Sequence, residues 1–173
     1  MAVAPTGSLS KPLYNLQTLI ASSATFQTWV GATGDAEAKL AAARARIYLA
    51  AKPGGSAVRP FAVVGQGDER EWPGLAGGAR NHFGDSGSLL VSFEADVAEE
   101  DQDDDADAEM AFLNPVGGVI DDILQLSASG GYLAVTGITL SDGPGRSDPR
   151  ERDSLGDAYW ILFQVRWGVE SIG

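Results

Sequence analysis

The segment Ser88–Val97, SLLVSFEADV, alternates apolar and polar residues with one exception, Leu90. Leu89, Val91, Phe93, Ala95 and Val97 fall on one side, and Ser88, Leu90, Ser92, Glu94 and Asp96 on the other. Successive side chains of an extended chain point to opposite faces, so this period of two predicts a strand with one buried face. A strand of this kind needs a second layer to cover its apolar side. DAYWILFQVRWG, near the C-terminus, repeats the pattern with Tyr159, Ile161, Phe163, Val165 and Trp167 on one side. Its other side carries Trp160 and Leu162 beside Gln164 and Arg166, which is too apolar for open solvent.

The covering layer is legible as helices. Ser10 is an N-cap candidate and Pro12 falls in the first turn, where a missing N–H costs little. Leu13, Leu16, Leu19, Ile20, Ala24 and Val30 then recur at helical spacing. The pattern breaks at GATGD, after which Asp35 caps a short helix through AEAKLAAAR. RIYLA and PFAVV read as strands separated by the turn-rich KPGGSAVRP, followed by a glycine-rich loop, GQGDEREWPGLAGGAR. Beyond the acidic run, Met110, Leu113, Gly117, Ile120 and Leu124 form an amphipathic stripe. Pro115 within it predicts a kink or a fresh start, and Gly130-Gly131 supply the C-cap. YLAVTGITL and the aromatic strand from Asp157 complete the chain.

The expected fold is α+β: a mostly antiparallel sheet of about five strands, covered on one face by two main helices, in the order α-α-β-β-β-α-β-β. One domain spans residues 1–173, with a loose arm at 1–9 and long loops at 65–80, 98–107 and 141–157.

Charge narrows the function classes. The net charge is −12, and residues 81–145 contain no Lys or Arg but fourteen of the 24 acidic residues. The remainder, with twelve basic and ten acidic residues, is close to neutral. An acidic field of this kind repels phosphate, which argues against DNA binding through a basic surface. It suits a basic partner, or a passage to which DNA must not stick. There is no cysteine, so disulfides, thiol catalysis and cysteine zinc sites are excluded. The N-terminus lacks the pattern of a signal peptide and no apolar run reaches ~18 residues, so a soluble protein made and used in a cytoplasm is expected.

Candidate chemistry centres on HFGDSGSLL, where Gly-Asp-Ser-Gly matches the nucleophile segment of chymotrypsin-like proteases. A serine nucleophile needs a histidine in hydrogen-bond reach. The single histidine, His82, stands four residues from Ser86, and Ser88 replaces the motif's second glycine. Lys11, Lys39 and Lys52, the lysines available for a Ser-Lys dyad, lie in other predicted segments. The tetrapeptide therefore reads as a turn that launches a strand. DQDDDAD resembles the start of a calcium loop, but neither register gives Gly at position six or Glu at position twelve. Glycine-rich phosphate motifs are absent, and Asp121 and Asp122 read as exposed helix charges. No catalytic, cofactor-binding or metal residue is assigned. The candidate interface residues are Trp72, Arg146, Arg150, Arg152 and Trp160, with Glu99, Glu100, Asp101, Asp103, Asp104, Asp105 and Asp107 as an acidic lumen or partner face.

The succession of an N-terminal helix, RIYLA, PFAVV, a long strand ending in acidic residues, DADAEMAFLNPVGGVIDDILQL and DAYWILFQVRWG resembles the tail terminator (tail completion) proteins of long-tailed bacteriophages. The resemblance runs from about Leu13 onward and rests on the order of elements. It implies a structural virion protein of the tail or neck, assembled in the host cytoplasm. Subunits of that family form a ring, taken here as a hexamer, which stops tail-tube polymerisation and joins tail to head connector. The partners implied are further copies of the chain, the major tail tube protein and the head-tail connector protein, with no specific nucleic-acid binding and no membrane. The acidic segment and the 141–157 loop are long for the pattern. Another neck component, such as a head-closure or head-tail joining protein, is the neighbouring alternative. An acidic DNA-mimic inhibitor of a basic partner comes from a different class, and an enzyme using Ser86 comes last.

Overall fold

The computed structural model describes residues 9–50, 57–71, 82–96, 105–130, 132–147 and 158–172. Three helices lead: α1 (Ser10–Ser22), α2 (Ala24–Trp29) and α3 (Ala36–Arg44). β1 (Ile47–Leu49), β2 (Phe61–Glu71) and β3 (His82–Asp96) follow, then α4 (Asp105–Ala128), β4 (Val135–Ser147) and β5 (Ala158–Ile172). The five strands form one sheet in the order β1-β2-β3-β5-β4. β1 and β2 run parallel, and every other pair is antiparallel. The expected α+β class and five-stranded, mostly antiparallel sheet are therefore present.

Register sorts the side chains onto two faces. Val64 lies opposite Val91 and Val91 opposite Phe163, while Leu89 faces Val165 and Phe93 faces Ile161. This face meets the helices through Leu16, Leu19, Ile20, Phe26, Val116, Val119 and Ile123, all buried. Aromatic rings join the layers. Trp29 of α2 packs 6.2 Å from Phe93 and 6.1 Å from Phe112, and Phe112 stacks on Tyr159 at 5.7 Å.

The leading helical segment is two helices, not one. Ser23 has an extended backbone (φ −64°, ψ 123°), and its Oγ accepts from the Phe26 N–H at 3.0 Å, which caps α2. The expected cap at Ser10 is not formed. Leu9 holds the N-cap position without a side-chain bond, and Ser10 is the first helical residue. Asp35 caps α3 as expected, accepting from the Ala38 N–H at 2.9 Å. α4 continues through Pro115 and does not start afresh there. Gly130 follows it with φ 84°, the left-handed geometry a C-cap requires.

The strands extend further than expected. Residues 65–71, read as loop, continue β2, and residues 141–147 continue β4. In β2 the ladder shifts register between Gln66 and Arg70. There the Glu69 N–H donates to Ser88 Oγ at 3.1 Å, and a Cβ on Gly67 would sit 2.7 Å from the Ser88 carbonyl. The glycine that suggested a loop is what lets the bulged strand approach its neighbour. β4 is shifted at three places and carries Gly143 (φ 92°), Pro144 and Gly145, residues tolerated on an edge strand. The Gly84–Gly87 segment, expected as a turn, lies inside β3 and pairs with β5. Of the expected 98–107 loop, residues 105–107 belong to α4; residues 98–104, and the arm at 1–8, lie outside the described residues.

Candidate interaction surface

The second sheet face is organised in rows across the strands. The first runs Phe61, Glu94, Trp160, Gly145; the next Tyr48, Val63, Ser92, Leu162, Asp142; the third Gly65, Leu90, Gln164, Thr139. At the first row the face has local cover. Tyr48 packs edge-on against Phe61 with ring centroids 5.6 Å apart. Glu94 and Arg59 bury side chains that are each 5% exposed, 3.5 Å apart, and Arg59 also reaches Asp96 at 2.9 Å. Trp160 sits close against the edge strand, where a Cβ on Gly145 would come within 2.5 Å of the indole. In the middle rows Val63, Leu90, Leu162 and Gln164 are half-buried, and none belongs to the core cluster that the helices share. The sequence expectation that this face is too apolar for open solvent matches these residues.

Ser86 lines an open hollow of about 430 Å³ with Glu69, Gly87, Thr136, Arg166 and Trp167. An ion pair borders the hollow: Arg166 Nη2 lies 3.4 Å from Glu69 Oε1, both side chains about half exposed. Its described lining holds no histidine or lysine. His82 belongs to the same strand as Ser86. Four strand residues span roughly 13 Å, well beyond hydrogen-bond reach, so the pair does not have nucleophile–base geometry.

The predicted site residues are dispersed. Trp160 is half-buried on the second face, and Arg146 is exposed on the edge strand β4, in register with Tyr159 on the helix side. Asp105 begins α4, and Asp107, two residues on, is exposed. Trp72, Arg150, Arg152, Glu99, Glu100, Asp101, Asp103 and Asp104 lie outside the described residues. Arg146 and Trp160 therefore stand on neighbouring strands but belong to opposite faces by register. Among the described residues no cluster of three or more His, Cys, Asp or Glu is placed to hold a metal, and no helix is long and apolar enough to cross a membrane.

Asp122 departs from the sequence reading. Asp121 is exposed as expected, but Asp122 is half-buried and turned toward the α1–α2 junction. Its Oδ2 accepts from Ser23 Oγ–H at 2.6 Å and from the Thr25 N–H at 3.1 Å. Burial alone would raise its pKa; the donors from Ser23 and Thr25 outweigh it and hold the carboxyl below the ordinary value of 3.8. The carboxylate thus ties α4 to the start of α2 across a separation of 99 residues. Gly118, one turn earlier, permits this approach, since a Cβ there would lie 2.9 Å from the Thr25 methyl. Ser23 three residues before Phe26 was a readable cap signal; its partner on α4 carried none. No family model matches the chain, and no curated protein matches it.

Proposed function

We propose that this chain is a structural, ring-forming virion protein that caps the tail tube of a long-tailed phage and joins the tail to the head connector. The observation that supports this most is the second sheet face. It presents half-buried Val63, Leu90 and Leu162 on the side away from the helices, as expected of a subunit whose second layer comes from a neighbour. The element order that resembles tail terminators is kept, with the added detail that the first helix is divided at Ser23. The concentration of acid in residues 81–145 agrees with a DNA passage that must stay non-adhesive.

The test is assembly on tail tubes. Tubes polymerised from a cognate major tail tube protein are incubated with the purified chain and imaged by negative-stain electron microscopy. The expected result is a ring at one tube end and arrested elongation. Unchanged elongation with no terminal density overturns the terminator role. Binding to the connector alone moves the chain to another neck position. Tight binding to a DNA-binding enzyme, with no affinity for tubes, replaces the reading with DNA mimicry.

A further inference from the structure

The sheet ends at β1 on one side and at β4 on the other, and the two ends differ in charge. α1 packs on β1 and on α3. Residues 9–50 carry Lys11, Lys39, Arg44 and Arg46 against Asp35 and Glu37; four minus two gives a net of +2, and Arg59 is taken up by Glu94 and Asp96. At the opposite end α4 packs beside β4. Residues 105–147 carry Asp105, Asp107, Glu109, Asp121, Asp122 and Asp142 against Arg146; one minus six gives −5.

Both ends also expose apolar side chains. On the β1 side Leu49 is 39% and Val58 60% exposed, and Arg46 donates to the Val58 carbonyl at 2.8 Å. On the β4 side Tyr132 is 65% and Leu140 54% exposed. Among the described residues no strand continues the sheet past either end.

We propose that a second copy of this chain docks head to tail, its β4/α4 end against the β1/α1 end of the first. A chain of net charge −12 repels its own copies when charge is averaged over the surface. Only an arrangement that brings unlike ends together gains local attraction, and here those ends also hold the exposed Leu49, Val58, Tyr132 and Leu140 that would exclude water. A contact between two different patches is heterologous. It repeats from copy to copy, closing into a ring where the rotation permits and running on as a filament where it does not. The proposal rests on the ring reading and names the surfaces that would build it.

Because the chain has no cysteine, Leu49→Cys and Leu140→Cys each supply one unambiguous thiol on a surface position. The two single variants are mixed and treated with a flexible bis-maleimide. Cross-linked dimers are expected from the mixture, little from either variant alone, and a ladder of multimers from the double variant. Yield should fall several-fold between about 0.1 M and 1 M salt, as the screening length shrinks from ~10 Å to ~3 Å. Lys11→Glu should lower it at low salt. Self-linking of one variant as strong as the mixture overturns the head-to-tail contact. Multi-chain particles by mass photometry without cross-linking also overturn these surfaces, while leaving the ring reading standing. Absence of both, with tail tubes present as well, removes the ring reading itself.

Discussion

Asp122 is the most informative single position in the helical layer. Replacing it with Asn keeps the size and one acceptor oxygen but removes the charge. Ser23 Oγ–H and the Thr25 N–H then donate to a neutral amide at 2.6 and 3.1 Å in place of a carboxylate. Hydrogen bonds to a charged group contribute about 1.5–3 kcal/mol each, against about 1 for a neutral one. The site is half-buried, so water screens part of the difference, and Asp122→Asn should cost about 2 kcal/mol. For a chain of this size that lowers Tm by roughly 4–8 °C. The effect has a pH signature. The folded pKa lies below the ordinary 3.8, so the charge-dependent stabilisation is fully present above that value and lost as pH falls through the folded pKa. Urea unfolding followed by circular dichroism should therefore show a constant gap between the native chain and Asp122→Asn from about pH 5 to 8 that narrows below about pH 3.8. A gap under ~0.5 kcal/mol at neutral pH, or one unchanged at pH 3, would refute the assignment of Asp122 as the tie between α4 and α2.

Two further substitutions probe the sheet and the core. Gly67→Ala brings a Cβ to 2.7 Å from the Ser88 carbonyl and should cost about 1–3 kcal/mol in the urea midpoint. Gly65→Ala, with nothing within 4 Å of its Cβ, is the matched control and should change stability by less than ~0.5 kcal/mol. Phe26→Ala empties a fully buried site between Trp29 and Phe93 and should cost about 3–5 kcal/mol, read by the same midpoint.

Much of the architecture was legible because its signals are periodic. The alternation in Ser88–Val97 and Ala158–Trp167 located two interior strands and put Leu89, Val91, Phe93, Tyr159, Ile161, Val165 and Trp167 on the buried face, though Ser88 and Glu94 on the other face are buried as well. Asp35 was readable as a cap because capping depends on residues three apart in sequence. What failed were features set by partners distant in sequence. Gly65 and Gly67 suggested a loop, but pairing with β3 makes the segment a strand. The Gly-Asp-Ser-Gly turn was absorbed into β3 because β5 supplies a partner for every residue from His82 to Asp96. Ser23 looked like one position in a long helix until Asp122, 99 residues away, fixed it as a junction. The surface was legible only in part. Trp160 and Leu162 marked the second face, whereas the charge split between the sheet's ends depends on strand order, which no local pattern shows.

The proposed ring is closed and is built by this acidic chain through unlike surfaces. Mass photometry of the purified chain across concentration and salt, alone and with tail tubes, tests that claim most directly. The particles are expected to stop growing at one chain number, about six on the family resemblance, and to come apart as salt rises. A single-chain mass under every condition, tubes included, would contradict it.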